Sequence, residues 1–171
     1  MNTKLFHSVL AAIAILFLGA PLLHAKKVEF PEKDPAFTFT MPDSWSTGTG
    51  KEGGIYCTAP DGFKIGIVAS PGVSNPEEAK ALLPKILKEM ADAMKCKDYK
   101  QEEVRAADSD KMWMAVVQAH CSFEGAEMSL NAVLFTLESS YFSIVGAAPA
   151  KLDQAHEKEM TELLKSIAAV E

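Results

Sequence analysis

The residues able to do chemistry are few. Beyond the first 25 positions the chain keeps two histidines, His120 and His156, and three cysteines, Cys57, Cys96 and Cys121. His156 opens the run His156-Glu157-Lys158-Glu159-Met160. A zinc-protease helix places a second imidazole one turn after the first so that both face one ion. Met160 stands where that second ligand belongs, so the run reads as ordinary helix with His156 on the rim of a buried face. A Ser-His-Asp relay would draw on His120 or His156, yet no G-x-S-x-G elbow presents a serine to either. Met112, Met114 and His120 share one strand face by period two, and thioether and imidazole suit Cu(I). At strand rise Met112 and His120 are about 26 Å apart, too far for one ion, and the methionines read as packing residues. The sequence therefore predicts no catalytic residue, no metal site and no cofactor, and it leans away from an enzyme. One binding site stays open. Trp45 and Tyr56 bracket the glycine-rich stretch Ser46–Gly54, read as a mobile loop. Aromatic residues at the base of such a loop can line a ligand cleft or can simply anchor a core.

The element that would position most of these residues is a meander. Lys111–Pro149 holds three apolar-rich runs separated by short polar gaps centred on Glu124-Gly125-Ala126 and Glu138-Ser139-Ser140. Such spacing predicts three consecutive antiparallel strands. In the first run Trp113, Ala115, Val117, Ala119, Cys121 and Phe123 alternate with Met112, Met114 and Val116, so both faces of the sheet need cover. Upstream, Lys26–Pro35 reads as an extended lead-in and Ala36–Met41 as a strand. Ile55–Ala59 and Phe63–Ser70 read as strands joined by the turn Pro60-Asp61-Gly62. A helix is predicted from Asn75 to Met94, with Asn75 as cap, Pro76 at the first helical position, Glu78 completing a capping box and Pro84 as a kink. Tyr99–Ala106 reads as an edge strand and Asp108-Ser109-Asp110 as a turn. Lys151–Val170 reads as a second amphipathic helix burying Leu152, Ala155, Met160, Leu163, Leu164 and Ile167. The expectation is an α+β fold with an antiparallel sheet of six to seven strands flanked by helices.

The first 25 residues are expected to be a signal peptide. Lys4 gives a basic start, Val9–Leu18 an apolar core and Leu23-His24-Ala25 a cleavage site. That core is too short to span a bilayer comfortably, so no membrane span is expected after cleavage. The remainder, 26–171, is the length of one domain. The whole chain carries a net charge of −6, and the segment removed holds one basic and no acidic residue. An acidic chain without a basic cluster argues against nucleic acid or anionic lipid as a partner. A periplasmic or secreted location follows, with an envelope protein as the expected partner. In that setting three cysteines permit one internal disulfide. If Tyr99–Ala106 folds back on Met112–Phe123 with its turn near Asp108-Ser109, Cys121 lies opposite residue 96 or 97. That register selects Cys96–Cys121 and leaves Cys57 as a buried thiol.

The order of elements, with Met41-Pro42-Asp43-Ser44-Trp45 closing the early strand and Leu164-Lys165-Ser166-Ile167 near the end, resembles the PsbP-like superfamily over most of residues 30–170. That superfamily includes an extrinsic photosystem II subunit, a nuclear-import factor that binds Ran, and small exported bacterial proteins. The resemblance implies an α/β/α sandwich and carries over no catalytic residue. Its functional implication is a non-enzymatic protein that binds a protein partner. The alternative is a small-ligand or lipid carrier with a pocket between sheet and helix.

Overall fold

The computed structural model describes residues 25–50, 53–109 and 112–170. The expected signal peptide thus lies outside the described residues, apart from Ala25. The described residues fall into two compact units, Ser44–Ala155 and a smaller one that combines 25–43 with 156–170.

The larger unit is an antiparallel sheet of eight strands. Its strands are β3 (Ser46–Thr49), β4 (Ile55–Thr58), β5 (Lys64–Ala69), β6 (Lys97–Gln101), β7 (Arg105–Asp108), β8 (Trp113–Phe123), β9 (Ala126–Leu137) and β10 (Ser140–Pro149). The labels β1 and β2 belong to the smaller unit. The spatial order is β3-β4-β5-β10-β9-β8-β6, with β7 also on the free side of β8. The three-strand meander is as the sequence predicts. Its turns need φ > 0, which Glu124, Gly125 and Glu138 supply. β10 then closes the sheet on β5, with Ile144 facing Ile67.

Between β5 and β6 runs helix α1 (Pro76–Ala93), which continues as one element through Pro84. Ala79, Leu83, Leu87 and Ala91 recur every fourth residue and are fully buried. They pack on Ala115, Val117 and Ala119 of β8 and Leu130, Ala132 and Leu134 of β9. The alanines on both sides let the helix approach the sheet closely. Helix α2 (Ala150–Ala155) lies on the opposite face. There Asp153 accepts from Asn131 Nδ2 at 2.7 Å and from Gln118 Nε2 at 3.3 Å, and those two residues face each other across β8 and β9. The larger unit is therefore a sheet with a helix on each side.

The start of α1 carries its own signal. Asn75 Oδ1 accepts the Glu78 N–H at 2.9 Å, and Glu78 Oε2 accepts the Ser74 N–H at 3.0 Å and its hydroxyl at 2.8 Å. Asn75→Ala is expected to cost about 1 kcal/mol in urea unfolding. The Glu78 carboxyl is held below its ordinary range, first by the Ser74 N–H and then by the Ser74 hydroxyl, against a smaller opposing push from desolvation. A carboxylate with a lowered folded pKa stabilises the fold above the ordinary carboxylate range, and that contribution disappears as pH falls through the lowered value. The stability gap between the wild type and Glu78→Gln should therefore close on titration from neutral pH to about pH 3, read as converging urea midpoints.

In the smaller unit β1 (Ala25–Phe30) and β2 (Phe37–Pro42) form an antiparallel pair with Val28 facing Phe39. Helix α3 (Glu157–Lys165) packs on β2, and β11 (Ala168–Ala169) pairs with the other edge of β2. The core is Phe30, Phe37, Phe39, Met41, Leu163 and Ile167.

Several expectations need correction. Lys26–Pro35 is not merely a lead-in, because its first half is β1. The helix expected over 151–170 is two helices divided at His156, whose backbone leaves the helical region at φ −96° and ψ 3°. It stops at Lys165 because Ser166 Oγ donates to the Leu163 carbonyl at 2.7 Å and accepts the Thr40 N–H at 2.7 Å, turning the chain into β11. Ala155, expected inside, is exposed.

Candidate functional site

The structure places the two aromatic candidates differently. Trp45 is 2% exposed, and its ring meets Phe63 edge-on at 5.7 Å between centroids. It is a core residue. Tyr56 stands on β4, where alternation puts it on the face opposite the buried Cys57. The two do not line one cleft.

Tyr56 is 38% exposed. Three neighbours lie against its ring. A methyl group built on Gly66 would sit 3.3 Å from ring carbon Cε1, and one on Gly50 would sit 3.3 Å from Cε2. A side chain at either place would press on the ring, which would have to give by a few tenths of an ångström. The Lys64 ammonium lies 4.4 Å from the ring centroid, a favourable cation–π distance. On the edge strand Tyr56 faces Gly48, which has nothing within 4 Å of where a side chain would start. The ring thus sits beside two glycines with the Lys64 ammonium over it, and Gly48 leaves it open toward the β3 edge. Sequence reasoning singled out Tyr56 but missed Lys64 and Gly66. The signal was available in the strand pair, because Gly66 falls directly across from Tyr56 once the Pro60-Asp61-Gly62 turn sets the register.

A second concavity of about 300 Å³ opens near the other end of the sheet, lined in part by Asp98, Lys100, His120, Ser122 and Glu127. His120 Nε2 is 3.7 Å from Glu102 Oε1, and Glu102 Oε2 is 3.9 Å from Arg105 Nη2. These are electrostatic contacts rather than hydrogen bonds. His120 Nδ1 is buried and has no hydrogen-bond partner among the described residues. The cleft can hold a small polar molecule. Among the described residues no group of three or more His, Cys, Asp and Glu side chains is arranged to hold a metal ion. His156 is buried and bonds through Nδ1 to Glu159, the residue that follows it by three.

Cys96 and Cys121 are joined as a disulfide with their Cα atoms 5.7 Å apart, and Cys57 is buried outside that bond. The register that selected this pair was not uniform, however. Asp108 faces Trp113, and Ser109 N–H donates to the Met112 carbonyl, so Asp108 and Ser109 belong to the paired strand rather than to its turn. Eight positions separate Lys97 from Arg105 while six separate their partners Ser122 and Val116. The expected edge strand Tyr99–Ala106 is accordingly two strands, β6 and β7, with extra residues absorbed between them and in a bulge. Lys97 faces Ser122 and Lys100 faces His120, so Cys121 lies opposite the bulge rather than opposite residue 96 or 97, and the disulfide joins it to Cys96 just outside the ladder.

Among the described residues no helix is long and apolar enough to cross a membrane. No family model matches the chain. No curated protein matches it. Solved structures do. The solution structure of cyanobacterial PsbP (CyanoP) from Synechocystis sp. PCC 6803 superposes with a TM-score of 0.66 at 11% identity, covering 90% of this chain and 96% of that one. LpqN of Mycobacterium tuberculosis, described as involved in cell envelope biogenesis, gives 0.56 at 13% identity over 86% and 92%. The Saccharomyces cerevisiae Ran-binding protein Mog1p gives 0.58 at 10% identity over 86% and 96%. Identities this low speak to architecture alone. The chain has the PsbP-like fold.

Proposed function

We propose that the chain is an exported, non-enzymatic protein that binds a protein partner in the cell envelope through the surface around Tyr56. The observation that carries the reading is the tyrosine itself. It is one of two large apolar side chains exposed among the described residues, with Val170. It also has the Lys64 ammonium over its ring and the glycines Gly66 and Gly50 beside it. Rigid exposed tyrosines bind with little loss of side-chain freedom and dominate interface energetics. Two of the similar structures lend support through what is said of them, envelope biogenesis for LpqN and Ran binding for Mog1p. A disulfide fits an oxidising compartment, as the expected signal peptide does. Residues 26–171 would then act as the mature protein.

The rival reading, a carrier, has one observation on its side, the cleft beside His120. Its charged lining suits a small polar molecule rather than an acyl chain. The apolar seam between α1 and the sheet is occupied by Leu83, Leu87 and their partners, which favours the partner reading.

The test is a photo-crosslinking amino acid placed at Lys64 in the protein expressed in its own envelope. One discrete protein adduct is expected, and Tyr56→Ala should weaken that association by about 2 kcal/mol. The same substitution should change unfolding free energy by less than about 1 kcal/mol. Absence of any protein adduct, or an adduct indifferent to Tyr56→Ala, defeats the reading.

A further inference from the structure

The two edges of the large sheet are built in opposite ways. The β6 edge carries Lys97 and Lys100, a bulge between them, and Asp98 at φ 53°. Charged side chains and bulges are devices that stop an edge from pairing with another strand. The β3 edge has none of these: Ser46-Thr47-Gly48-Thr49 is uncharged, unbulged and exposed along its whole length. Its hydrogen-bonding parity can be read from the ladder. Gly50 N–H donates to the Gly54 carbonyl. Inward-facing groups alternate along an antiparallel strand, so Ser46 and Gly48 bond toward β4. The backbone N–H and C=O groups of Thr47 and Thr49 then face outward. Among the described residues no backbone hydrogen bond from outside the sheet reaches them.

We infer that β3 is a strand-addition site, where an extended segment of a partner protein pairs with Thr47 and Thr49 and sets alternate side chains against Tyr56. This rests on the partner reading above and names the form the partner takes there. The occupant follows from the geometry. Two outward residues present donor and acceptor at the repeat of a β-strand, which only another extended backbone matches. Above that edge Gly48 contributes no side chain, so nothing on β3 stands between the added strand and the Tyr56 ring. The added residues on that face would be apolar, to use the ring. The Lys64 ammonium above the ring favours an acidic residue at one end of the segment.

The test uses a displayed library of random peptides of about ten residues, panned on the disulfide-intact protein. Thr47→Pro removes one outward N–H and leaves the inward ladder to β4 intact. Thr47→Val keeps that N–H and the strand propensity. Enriched peptides with alternating apolar residues are expected. Their affinity should fall about tenfold or more for Thr47→Pro, and similarly for Tyr56→Ala, with Thr47→Val close to wild type. Selected peptides should also slow hydrogen exchange at the Thr47 and Thr49 amides, and unchanged circular dichroism and urea midpoint certify the folding of Thr47→Pro. Failure to enrich any peptide overturns the inference, as do peptides that bind Thr47→Pro as well as wild type. So does a concentration-dependent dimer that Thr47→Pro abolishes, since the edge would then belong to a second copy. If the envelope adduct at Lys64 persists in Thr47→Pro, strand addition is wrong while the partner reading stands. If no adduct forms at all, the partner reading itself falls.

Discussion

Trp45→Ala is expected to lower the unfolding free energy by about 3–5 kcal/mol, the usual cost of removing a large aromatic ring from a packed interior. The indole is almost wholly buried and meets Phe63 edge-on. Its removal leaves a void that neighbouring side chains can fill only in part, so the urea midpoint should drop with little change in slope. Tyr56→Ala provides the contrast. The two aromatics bracket the same short segment, yet one should carry stability and the other binding. A Trp45→Ala variant within about 1 kcal/mol of the wild type would mean that the indole is not a core residue.

Loss of the disulfide should have the next largest effect. The Cys96–Cys121 bond spans a sequence separation of 25 and ties the chain just past the end of α1 to the last part of β8. By the chain-entropy relation a loop of this length is worth about 3 kcal/mol, from the freedom it denies the unfolded chain. The double variant Cys96→Ala and Cys121→Ala is therefore expected to unfold at lower urea concentration by that amount. Adding a dithiol reductant should bring the wild type to the same midpoint and leave the double variant unmoved. A wild-type midpoint indifferent to reductant would show that the bond contributes nothing to stability. Cys57 is buried on β4 and should react with maleimide only once the protein unfolds.

What the sequence made legible follows from what its patterns report. The meander β8–β9–β10 and helix α1 were readable because their apolar residues recur at periods that a core enforces, and because turn and cap residues mark their ends. The two-sided burial of β8 was readable for the same reason. β3 was not, since Ser46-Thr47-Gly48-Thr49 buries nothing and exists because β4 offers it backbone partners. Hydropathy carries no trace of that. β11 is hidden likewise, two exposed alanines paired with β2. The long helix expected at the end of the chain is broken at His156, where the backbone leaves the helical region, and ends at Ser166, whose hydroxyl takes a helical carbonyl. The candidate site was half visible. Tyr56 stood out by type, but its pairing with Gly66 and the open edge beside it depend on which residues face each other. The disulfide pair was found through a register that the structure does not keep: Lys97 faces Ser122, and a bulge lies opposite Cys121.

The hydrogen bond from Thr40 N–H to Ser166 Oγ spans 126 positions in sequence. A chain that emerges amino end first must therefore present β1 and β2 long before the residues that finish their sheet exist. During that interval the second edge of β2 is bare, and Phe37, Phe39 and Met41 lack Leu163 and Ile167. All strands of the eight-stranded sheet lie between Ser46 and Pro149, so its ladder can close before Ser166 exists. Maturation is then vectorial in an uneven sense, in which the β1–β2 pair appears before the eight-stranded sheet and is completed after it. A nascent protein of this design depends on whatever keeps its leading hairpin from pairing elsewhere until the final turn of chain arrives.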